Sequence, residues 1–569
     1  MATNGSNLEK LVLPPEQGTN GLDSHHTRSP TALSLAPSES ATLSGGTGSA
    51  IAGSSKGAAL EGLPEIGPLP PFGTIATGIP NVTVPAKHEN RTLVLCFDGT
   101  GDHGFNFDHK KLNRRLGHQN SNIVELFSIL RKDDPEKQLV YYQAGIGTYT
   151  VPQIATPLFA KISKTLDEMV AWNLDAHIMD GYEFLMQNYK AGDRICIFGF
   201  SRGAYTARCL AGMIHKVGLL PICNRQQIPF AYKMYTRCDP LGWQQSNSFK
   251  KTFSINVKID FLGVWDTVDS VGIIPRRLPF TTSNTCVRVF RHALALDERR
   301  AKFKQNTWNR PSKQEAHLAE TDRPDHEHHG NHQGHSGNSK HKQMDLERHY
   351  SEIYSTPTDV EEVWFAGCHC DVGGGSVTNG IRPNLARIPL RWMIRQTFLT
   401  ETGIMFSAQG LRKLGFDLDP TTYHPILKRP PALQLPSNTY LQPIPPAEKL
   451  SLEEYDAKVK ADAEAEANLS EQEIDLKDAL SPVYDQLKLK LFWWILELIP
   501  MRYRYQKEDN SWTSYFIMNL GQGRHIPRQR RHGVKVHRTV QTRLEASFSD
   551  GKKYYPNANL DLDKVEWVD

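Results

Sequence analysis

Short apolar runs alternate with amphipathic stretches through the first two-thirds of this chain. The apolar runs end at Gly-rich or polar turns and predict buried strands, and apolar residues at helical spacing predict helices between them. Strands that alternate with helices predict an α/β fold with a mostly parallel central sheet and helices on both of its faces. The predicted strands are residues 93–97, 138–143, 195–198, 255–264 and 360–366, and the predicted helices are residues 122–130, 162–189, 287–296 and 388–400, with another directly after residue 203.

The two ends of the chain differ in composition from this middle part. Residues 1–88 are rich in Ser, Gly, Pro and Thr and poor in aromatic residues, which predicts a disordered tail. Residues 89–415 form the predicted α/β domain, which a polar, His-rich stretch interrupts at 311–348. His-rich tracts can bind metal, but this one has no regular ligand spacing, so we interpret it as a surface loop insertion. Residues 416–569 form a helical or mixed accessory region.

The accessory region has its own pattern. Residues 450–479 are charged and rich in Ala and Glu, residues 483–501 concentrate aromatic and aliphatic side chains, and residues 524–538 are strongly basic. Together they could form a lid or a surface that settles on a lipid interface. The alternative is a helix docked on the core, because Trp and Leu at helical spacing are more often core residues.

Composition narrows the class of protein. The 569-residue chain is 39% hydrophobic and 22% charged with a formal net charge of +4, so nothing in it demands a nucleic-acid partner. Eight scattered cysteines are typical of a reducing compartment rather than a disulfide framework. The N-terminal stretch lacks the apolar core of a secretory signal, and no apolar run reaches the roughly 20 residues that cross a bilayer. We therefore expect an intracellular, cytoplasmic protein that is at most peripheral to a membrane.

The stretch Arg194 to Leu210 carries the strongest chemical signal. A predicted strand ends in Gly199-Phe200-Ser201-Arg202-Gly203, and a predicted helix follows at once. This turn is so sharp that the residues two before and two after the serine must lack side chains, and the serine hydroxyl is then exposed above the sheet. The N–H of Arg202, at the start of the helix, points to the place where an oxyanion would form. The pattern predicts Ser201 as a nucleophile, with Gly199 and Gly203 forming its turn.

A nucleophilic serine needs a base, and the base needs an acid that orients it. Asp266 follows the apolar run FLGVW, and His369 follows WFAGC. The order Ser, Asp, His is that of α/β-hydrolases, and all three residues end predicted strands, where open α/β sheets form their active sites. We therefore predict Ser201, Asp266 and His369 as a catalytic triad.

Each member of the triad has a competitor. Asp269 is a second acid candidate, although Asp266 is nearer the end of its strand. His292 is a second base candidate, although it falls in a predicted helix. Asp371 is either an outer carboxylate that supports His369 or part of a Gly-rich turn. The triplet Cys368-His369-Cys370 does not have zinc-site spacing, because adjacent residues cannot all wrap one tetrahedral ion, so we predict no metal site.

The turn after the first strand, Asp98-Gly99-Thr100-Gly101, is the other informative loop. In α/β-hydrolases a backbone N–H from an early strand-to-helix loop completes the oxyanion hole, and Gly99 and Thr100 are the candidates. The same turn is similar to the Asp-x-Asp-Gly-Thr signature of haloacid-dehalogenase phosphatases. Cys96 stands where that chemistry needs its phosphate-accepting aspartate, so we set that alternative aside.

Five blocks together resemble one family. FDGTGD, GFSRGAYTAR, FLGVWDTVDSVG, HALALDERRAKF and WFAGCHCDVGGG are similar, in this order, to the catalytic domain of α/β-hydrolases that include type VI secretion phospholipase effectors and many uncharacterised fungal proteins. The resemblance covers roughly residues 90 to 400. It implies a serine hydrolase with the triad named above and a lipid ester as the leading substrate class.

The sequence therefore predicts a phospholipase-like serine hydrolase that needs no metal or organic cofactor. Two other classes stay open. One is a soluble carboxylesterase or thioesterase that acts on small acyl groups. The other is a non-catalytic binding protein built on a hydrolase fold. The sequence identifies no protein partner.

Overall fold

The computed structural model describes residues 90–99, 119–145, 159–268, 278–309, 347, 357–446 and 451–569, with the side chains of 159–173, 452 and 492 left out. All of them belong to the unit that spans residues 72–569. The predicted N-terminal tail (1–88) and most of the His-rich insertion (311–348) lie outside the described residues. Ten strands are present among these residues: β1 (Thr92–Phe97), β2 (Gln138–Gln143), β3 (Arg194–Phe200), β4 (Ile259–Trp265), β5 (Val287–Ala295), β6 (Asp359–Phe365), β7 (Met501–Gln506), β8 (Trp512–Ile517), β9 (Val534–His537) and β10 (Val565–Val568).

Eight of these strands form one sheet in the order β10-β9-β6-β5-β4-β3-β1-β2. Every neighbouring pair in it is parallel, so the prediction of a mostly parallel sheet is confirmed. Parallel strands place all their carboxyl ends at one edge, which collects the residues that follow β1, β3, β4, β5 and β6. β7 and β8 form a separate antiparallel hairpin.

Helices cover both faces of the sheet. Successive side chains of a strand point to opposite faces, and accordingly Leu95 and Ile197 pack into one apolar cluster while Cys96 and Phe198 pack into another. The helices are α1 (Asn122–Ile129), α2 (Phe159–Asn188), α3 (Ser201–Val217), α4 (Ile228–Thr236), α5 (Pro240–Phe253), α6 (His369–Gly373), α7 (Arg387–Leu399), α8 (Ala408–Lys413), α9 (Leu452–Glu466), α10 (Glu471–Ala479), α11 (Gln486–Leu489), α12 (Trp494–Glu497), α13 (Gln529–His532) and α14 (Arg538–Glu545).

One secondary-structure prediction is wrong. Residues 287–296 were expected to be helical, but they form strand β5 between β4 and β6. A central parallel strand is buried on both faces, so it lacks the alternation that identifies a half-exposed strand. Two of its buried polar residues have partners in neighbouring elements. Arg291 Nε donates to Oε1 of Gln396 in α7 at 2.7 Å, and His292 Nδ1 lies 2.9 Å from Oε1 of Glu362 in β6.

The C-terminal region extends the sheet of the α/β domain. β9 pairs with β6, and β10 pairs with β9, so two of the eight strands come from residues beyond 530. The sequence did not indicate this, because β9 and β10 are only four residues long. The boundary at residue 415 stays a prediction. Within the described ranges, no helix is long and apolar enough to span a membrane.

Candidate active site

Ser201 is the first residue of α3, at the tight turn where β3 ends. Its backbone φ is +57°, a left-handed value that non-glycine residues rarely adopt. A Cβ on Gly203 would lie 2.3 Å from the carbonyl oxygen of Phe97, and one on Gly199 would lie 2.6 Å from Cα of Ala204. The turn therefore requires glycine at both positions, which is the geometric reason for the Gly-x-Ser-x-Gly pattern.

Asp266 and His369 form a direct pair at the same edge. Asp266 follows β4, and His369 begins the short helix α6 after β6. The Nδ1 atom of His369 lies 2.5 Å from Oδ2 of Asp266, and both side chains are buried. Of the acid and base candidates in the sequence, these two are brought together.

Ser201 lies beside this pair. Phe200 pairs in register with Trp265, so Ser201 and Asp266 follow adjacent positions of β3 and β4. The ring of Phe200 lies 4.8 Å from the ring of His369, measured between centroids. Nε2 of His369 is buried and has no hydrogen-bond partner in the described part of the chain, so its lone pair is available to a hydroxyl proton.

Burial and charge determine the protonation of the pair. Burial by itself would raise the pKa of Asp266, but the charge of Arg524 and the hydrogen bond with His369 lower that pKa well below its usual value. Burial lowers the pKa of His369, and the interaction with Asp266 offsets only part of this effect. Near neutral pH, His369 is therefore an uncharged imidazole next to an ionised carboxylate, as a general base requires.

Arg524 is a residue of the site that the sequence analysis missed. Its guanidinium is 1% exposed and binds both carboxylate oxygens of Asp266, at 2.5 Å to Oδ1 and 2.9 Å to Oδ2. Its other N–H groups donate to the carbonyl oxygens of Ala295 and Phe303. A guanidinium has five N–H donors, and these contacts use all of them. Arg524 therefore fixes both the position and the charge of Asp266.

Two carboxylates after β5 hold the loop that carries His369. Glu298 accepts the backbone N–H of His369 at 3.2 Å and is itself bound by Arg300 at 2.8 Å. Asp297 accepts the N–H of Gly367 at 2.6 Å and the hydroxyl of Tyr554 at 2.7 Å. Both belong to the block HALALDERRAKF, to which the sequence analysis assigned no role. Acidic residues directly after a strand are the signal for this edge of the sheet, but residues 287–296 were predicted to be helical, so the signal was not recognised.

The turn after β1 contacts the serine turn. A Cβ on Gly99 would lie 3.3 Å from Cβ of Ser201, so this backbone passes close to the nucleophile. The N–H of Gly99 donates to Oδ1 of Asp98 at 2.7 Å, and Asp98 also accepts hydrogen bonds from the hydroxyls of Ser121 and Tyr142. Thr100, the other oxyanion candidate from this loop, lies outside the described residues.

The competing residues have other surroundings. Nδ1 of His292 faces Glu362, and its Nε2 accepts the N–H of Thr267 at 3.1 Å, so both ring nitrogens are engaged. Asp371 accepts the N–H groups of Cys368 and Tyr484, and burial raises its pKa to about 6. Asp269 lies outside the described residues. No group of three or more potential metal ligands occurs in the parts of the chain that are described.

A parallel sheet covered on both faces, with a serine turn and an Asp–His pair at its carboxyl edge, defines an α/β-hydrolase-like protein. The chain belongs to the family described as "T6SS, Phospholipase effector Tle1-like, catalytic domain", which it matches over residues 91–396. It thus carries a phospholipase-like hydrolase domain. Arg524, β9 and β10 all lie beyond the matched residues.

Individual relatives extend this comparison. The uncharacterized protein YEL023C of Saccharomyces cerevisiae (strain ATCC 204508 / S288c) is 29% identical over 577 residues, which cover 81% of this chain and 80% of that protein. The crystal structure of an uncharacterized protein from Pseudomonas aeruginosa is 17% identical, covering 69% of this chain and 53% of that one, with a TM-score of 0.29. The Tle1 effector bound to the VgrG spike from the Type 6 secretion system is 18% identical, covering 53% of each chain, with a TM-score of 0.26. This chain spans about half the length of these two structures.

Proposed function

We propose that this protein hydrolyses carboxylic esters of lipids, with phospholipids as the leading substrate class, through an acyl-enzyme formed on Ser201. One observation carries the proposal. The 2.5 Å contact between Asp266 and His369 leaves Nε2 of His369 without a partner among the described residues, beside a serine whose backbone is held at φ +57°. This is the arrangement that activates a hydroxyl for attack on an acyl carbon.

The mechanism follows from these groups. Nε2 of His369 accepts the hydroxyl proton while Oγ of Ser201 bonds to the ester carbonyl carbon, and Asp266 stabilises the resulting imidazolium. The imidazolium then gives its proton to the leaving alkoxide, which departs as an alcohol and leaves an acyl group on Ser201. Water attacks the acyl group with His369 again as base, and the product is a carboxylic acid with Ser201 restored.

Two backbone donors hold the oxyanion, one from the serine turn and one from the loop after β1. The N–H of Arg202 lies at the start of α3, where the first N–H groups of a helix have no partner within the helix. The second donor comes from the loop at Gly99 and Thr100. Since Gly99 donates to Asp98 in this structure, Thr100 is the better candidate of the two.

The side chain of Arg202 supports a substrate with a negative head group. The guanidinium is partly buried next to the nucleophile, burial lowers its pKa to about 10, and no described residue forms an ion pair with it. A cation in this position would bind the phosphate of a phospholipid. Replacing it, as Arg202→Gln, should lower turnover of phospholipids relative to neutral esters by about tenfold, the effect of one charge-assisted hydrogen bond.

An active-site fluorophosphonate probe tests the enzyme class. Wild type should be labelled and Ser201→Ala should not, whereas Ser246→Ala is a matched control because its buried hydroxyl donates within α5. An unlabelled wild type, or equal label on Ser201→Ala, would leave a non-catalytic binding protein. Comparing turnover of long-chain phospholipid micelles with that of short-chain soluble esters separates a lipid hydrolase from a small-acyl esterase. Lipid profiling with wild type and Ser201→Ala then identifies the ester that is cleaved.

A further inference from the structure

Large apolar side chains are exposed along one side of a short helical segment near the active site. The segment consists of a single 3₁₀ turn, Leu491–Trp493, followed by α12. Leu491 is 77% exposed and Ile495 is 66% exposed, and Leu498 is also exposed. Their spacing of four and three residues places them along one side of a helix. These three side chains form an apolar stripe that no described residue covers.

The β7–β8 hairpin continues this stripe. Phe516 is 73% exposed, and Met518 and Leu520 are exposed after it. The two parts are joined at Glu497, whose carbonyl oxygen accepts the N–H of Leu520 at 3.2 Å and whose carboxylate accepts the N–H of Gly521 at 2.9 Å. We call this surface the C-terminal apolar face, formed by Leu491, Ile495, Leu498, Phe516, Met518 and Leu520.

Basic residues flank the face. Lys488 and Lys490 precede the helical segment, Arg502 lies in β7, and all three are exposed. Glu497 is the sole carboxylate between residues 486 and 506, and it is buried. Exposed apolar side chains surrounded by lysine and arginine are the chemistry of a surface that enters the head-group region of an anionic bilayer. A protein partner would more often meet a face with charges of both signs at its rim.

The face is attached directly to the loop after β5, which contains Ala301 and Phe303. Glu497 accepts the N–H of Ala301 at 2.6 Å through its carboxylate. The ring of Trp493, from the helical segment, lies 5.7 Å from the ring of Phe303, which lies 4.9 Å from the ring of His369. A bilayer that meets the face would therefore lie next to the site that needs lipid.

We propose that the C-terminal apolar face docks this protein on membranes that contain anionic lipids and thereby delivers substrate to Ser201. The inference rests on the proposed lipid-ester hydrolysis for its purpose, but docking itself does not require hydrolysis. Binding can thus be measured in a variant that cannot turn over lipid.

Vesicle co-sedimentation of the full chain carrying Ser201→Ala tests the proposal. The vesicles are phosphatidylcholine with or without phosphatidylserine. Adding Leu491→Ser, Ile495→Ser and Phe516→Ser should weaken binding to the phosphatidylserine vesicles by about tenfold or more, because each side chain loses the free energy of leaving water. Replacing Lys488, Lys490 and Arg502 with glutamine should remove the preference for phosphatidylserine, since each contributes about fivefold to binding.

The matched control is Ile222→Ser with Phe253→Ser, two exposed apolar residues outside the face, which should bind vesicles as the parent does. When the three face substitutions are made in the protein that retains Ser201, turnover of a soluble short-chain ester should be unchanged, which establishes that the face variant is folded. Three results would overturn the proposal: unchanged vesicle binding by the face variant, an equal loss of binding in the control, or no vesicle binding by the parent. If the parent does not bind vesicles, the face is instead a contact for another protein. If vesicles bind but no ester is cleaved, the proposed function fails and the docking surface stands.

Discussion

Two buried arginines connect the C-terminal region to the α/β domain. Comparing them distinguishes an ion pair that only stabilises the fold from one that also acts on the proposed active site. Arg524 binds Asp266 at the carboxyl edge of the sheet. Arg391, in α7, binds Asp475 and Asp478 of α10 at 2.5 and 2.6 Å. Each arginine is 1% exposed. The two sites thus use the same interaction at similar burial, but only one of them touches a proposed catalytic group.

The difference lies in what the carboxylate contacts next. Asp475 and Asp478 contact further arginines, Arg429 and Arg387, so their charges hold α10 to α7 and to the loop that contains Arg429. Asp266 contacts His369, whose charge changes during the proposed reaction. Removing one partner of a buried pair leaves an uncompensated charge, which destabilises a protein wherever it occurs. Only at Asp266 should it also change the titration of His369, the proposed general base.

The largest effect is expected for Asp266→Asn. The amide cannot hold His369 in the tautomer that leaves Nε2 free, so kcat on a soluble ester should fall by about a thousandfold to ten-thousandfold. Asp475→Asn is the matched control and should retain most of its turnover once corrected for folded fraction. Loss of less than about tenfold in the Asp266 variant would mean that another residue orients the base.

Arg524→Gln should have the next largest effect on turnover. We expect kcat/KM to fall by about tenfold to a hundredfold, since the acid loses its positioning contacts. Burial lowers the pKa of His369 below its ordinary value of about 6.5, so activity in wild type should be lost only as pH falls below that value. Without the positive charge of Arg524, the Asp266–His369 pair binds its proton more easily, so the apparent pKa of the pair rises. As the pH is lowered, the variant should therefore begin to lose activity at a higher pH than wild type does.

Arg524→Lys is the companion variant. It keeps the charge but not the two parallel hydrogen bonds, so the pH profile should remain close to wild type while stability falls. A pH profile of kcat/KM that is the same in Arg524→Gln and wild type would reduce Arg524 to a purely structural residue.

Arg391→Gln should affect stability without affecting the base. The free energy of unfolding, measured by urea denaturation, should fall by about 3–5 kcal/mol, because Asp475 and Asp478 stay buried with less compensation. At temperatures where the variant is folded, the pH profile of kcat/KM should not move. A shifted profile would show that the two arginine sites are coupled, and the comparison would then fail.

Tyr554→Phe should have the smallest effect, and it also tests whether a contact near the site affects stability or turnover. It removes one hydrogen bond to Asp297, which holds the loop before His369, and keeps the N–H donors of Gly367 and Asn557. The free energy of unfolding should fall by about 1 kcal/mol with kcat nearly unchanged. A large fall in kcat measured at saturating ester would instead make the hydroxyl part of the positioning of His369.

The structural features that were predicted best from the sequence are those that a single short segment determines. The turn at Ser201 needs glycine at 199 and 203 whatever the rest of the chain does, so the motif was visible. Asp266 and His369 were predicted because each follows a predicted strand of a parallel sheet. The parallel order itself followed from the alternation of strands and helices. The error at β5 has a local cause, since a strand buried on both faces has no alternation to read.

Arg524 could not be predicted because its partner is 258 positions away in the sequence. It lies in a strongly basic stretch, where nothing local distinguishes a buried arginine from an exposed one. The place of Asp297 and Glu298 could have been predicted, because acidic residues directly after a strand of this sheet fall at its carboxyl edge. Assigning a role to them required knowing that β5 is a strand.

The late position of Arg524 has a consequence for biosynthesis. A ribosome completes the serine turn, the aspartate and the histidine long before it reaches residue 524 or the strands β9 and β10, which extend the sheet beyond β6. A nascent or prematurely released chain that ends before this point has a bare sheet edge and an aspartate without its counterion. The proposed active site is therefore complete only after the C-terminal region has been synthesised, because the counterion of Asp266 comes from that region.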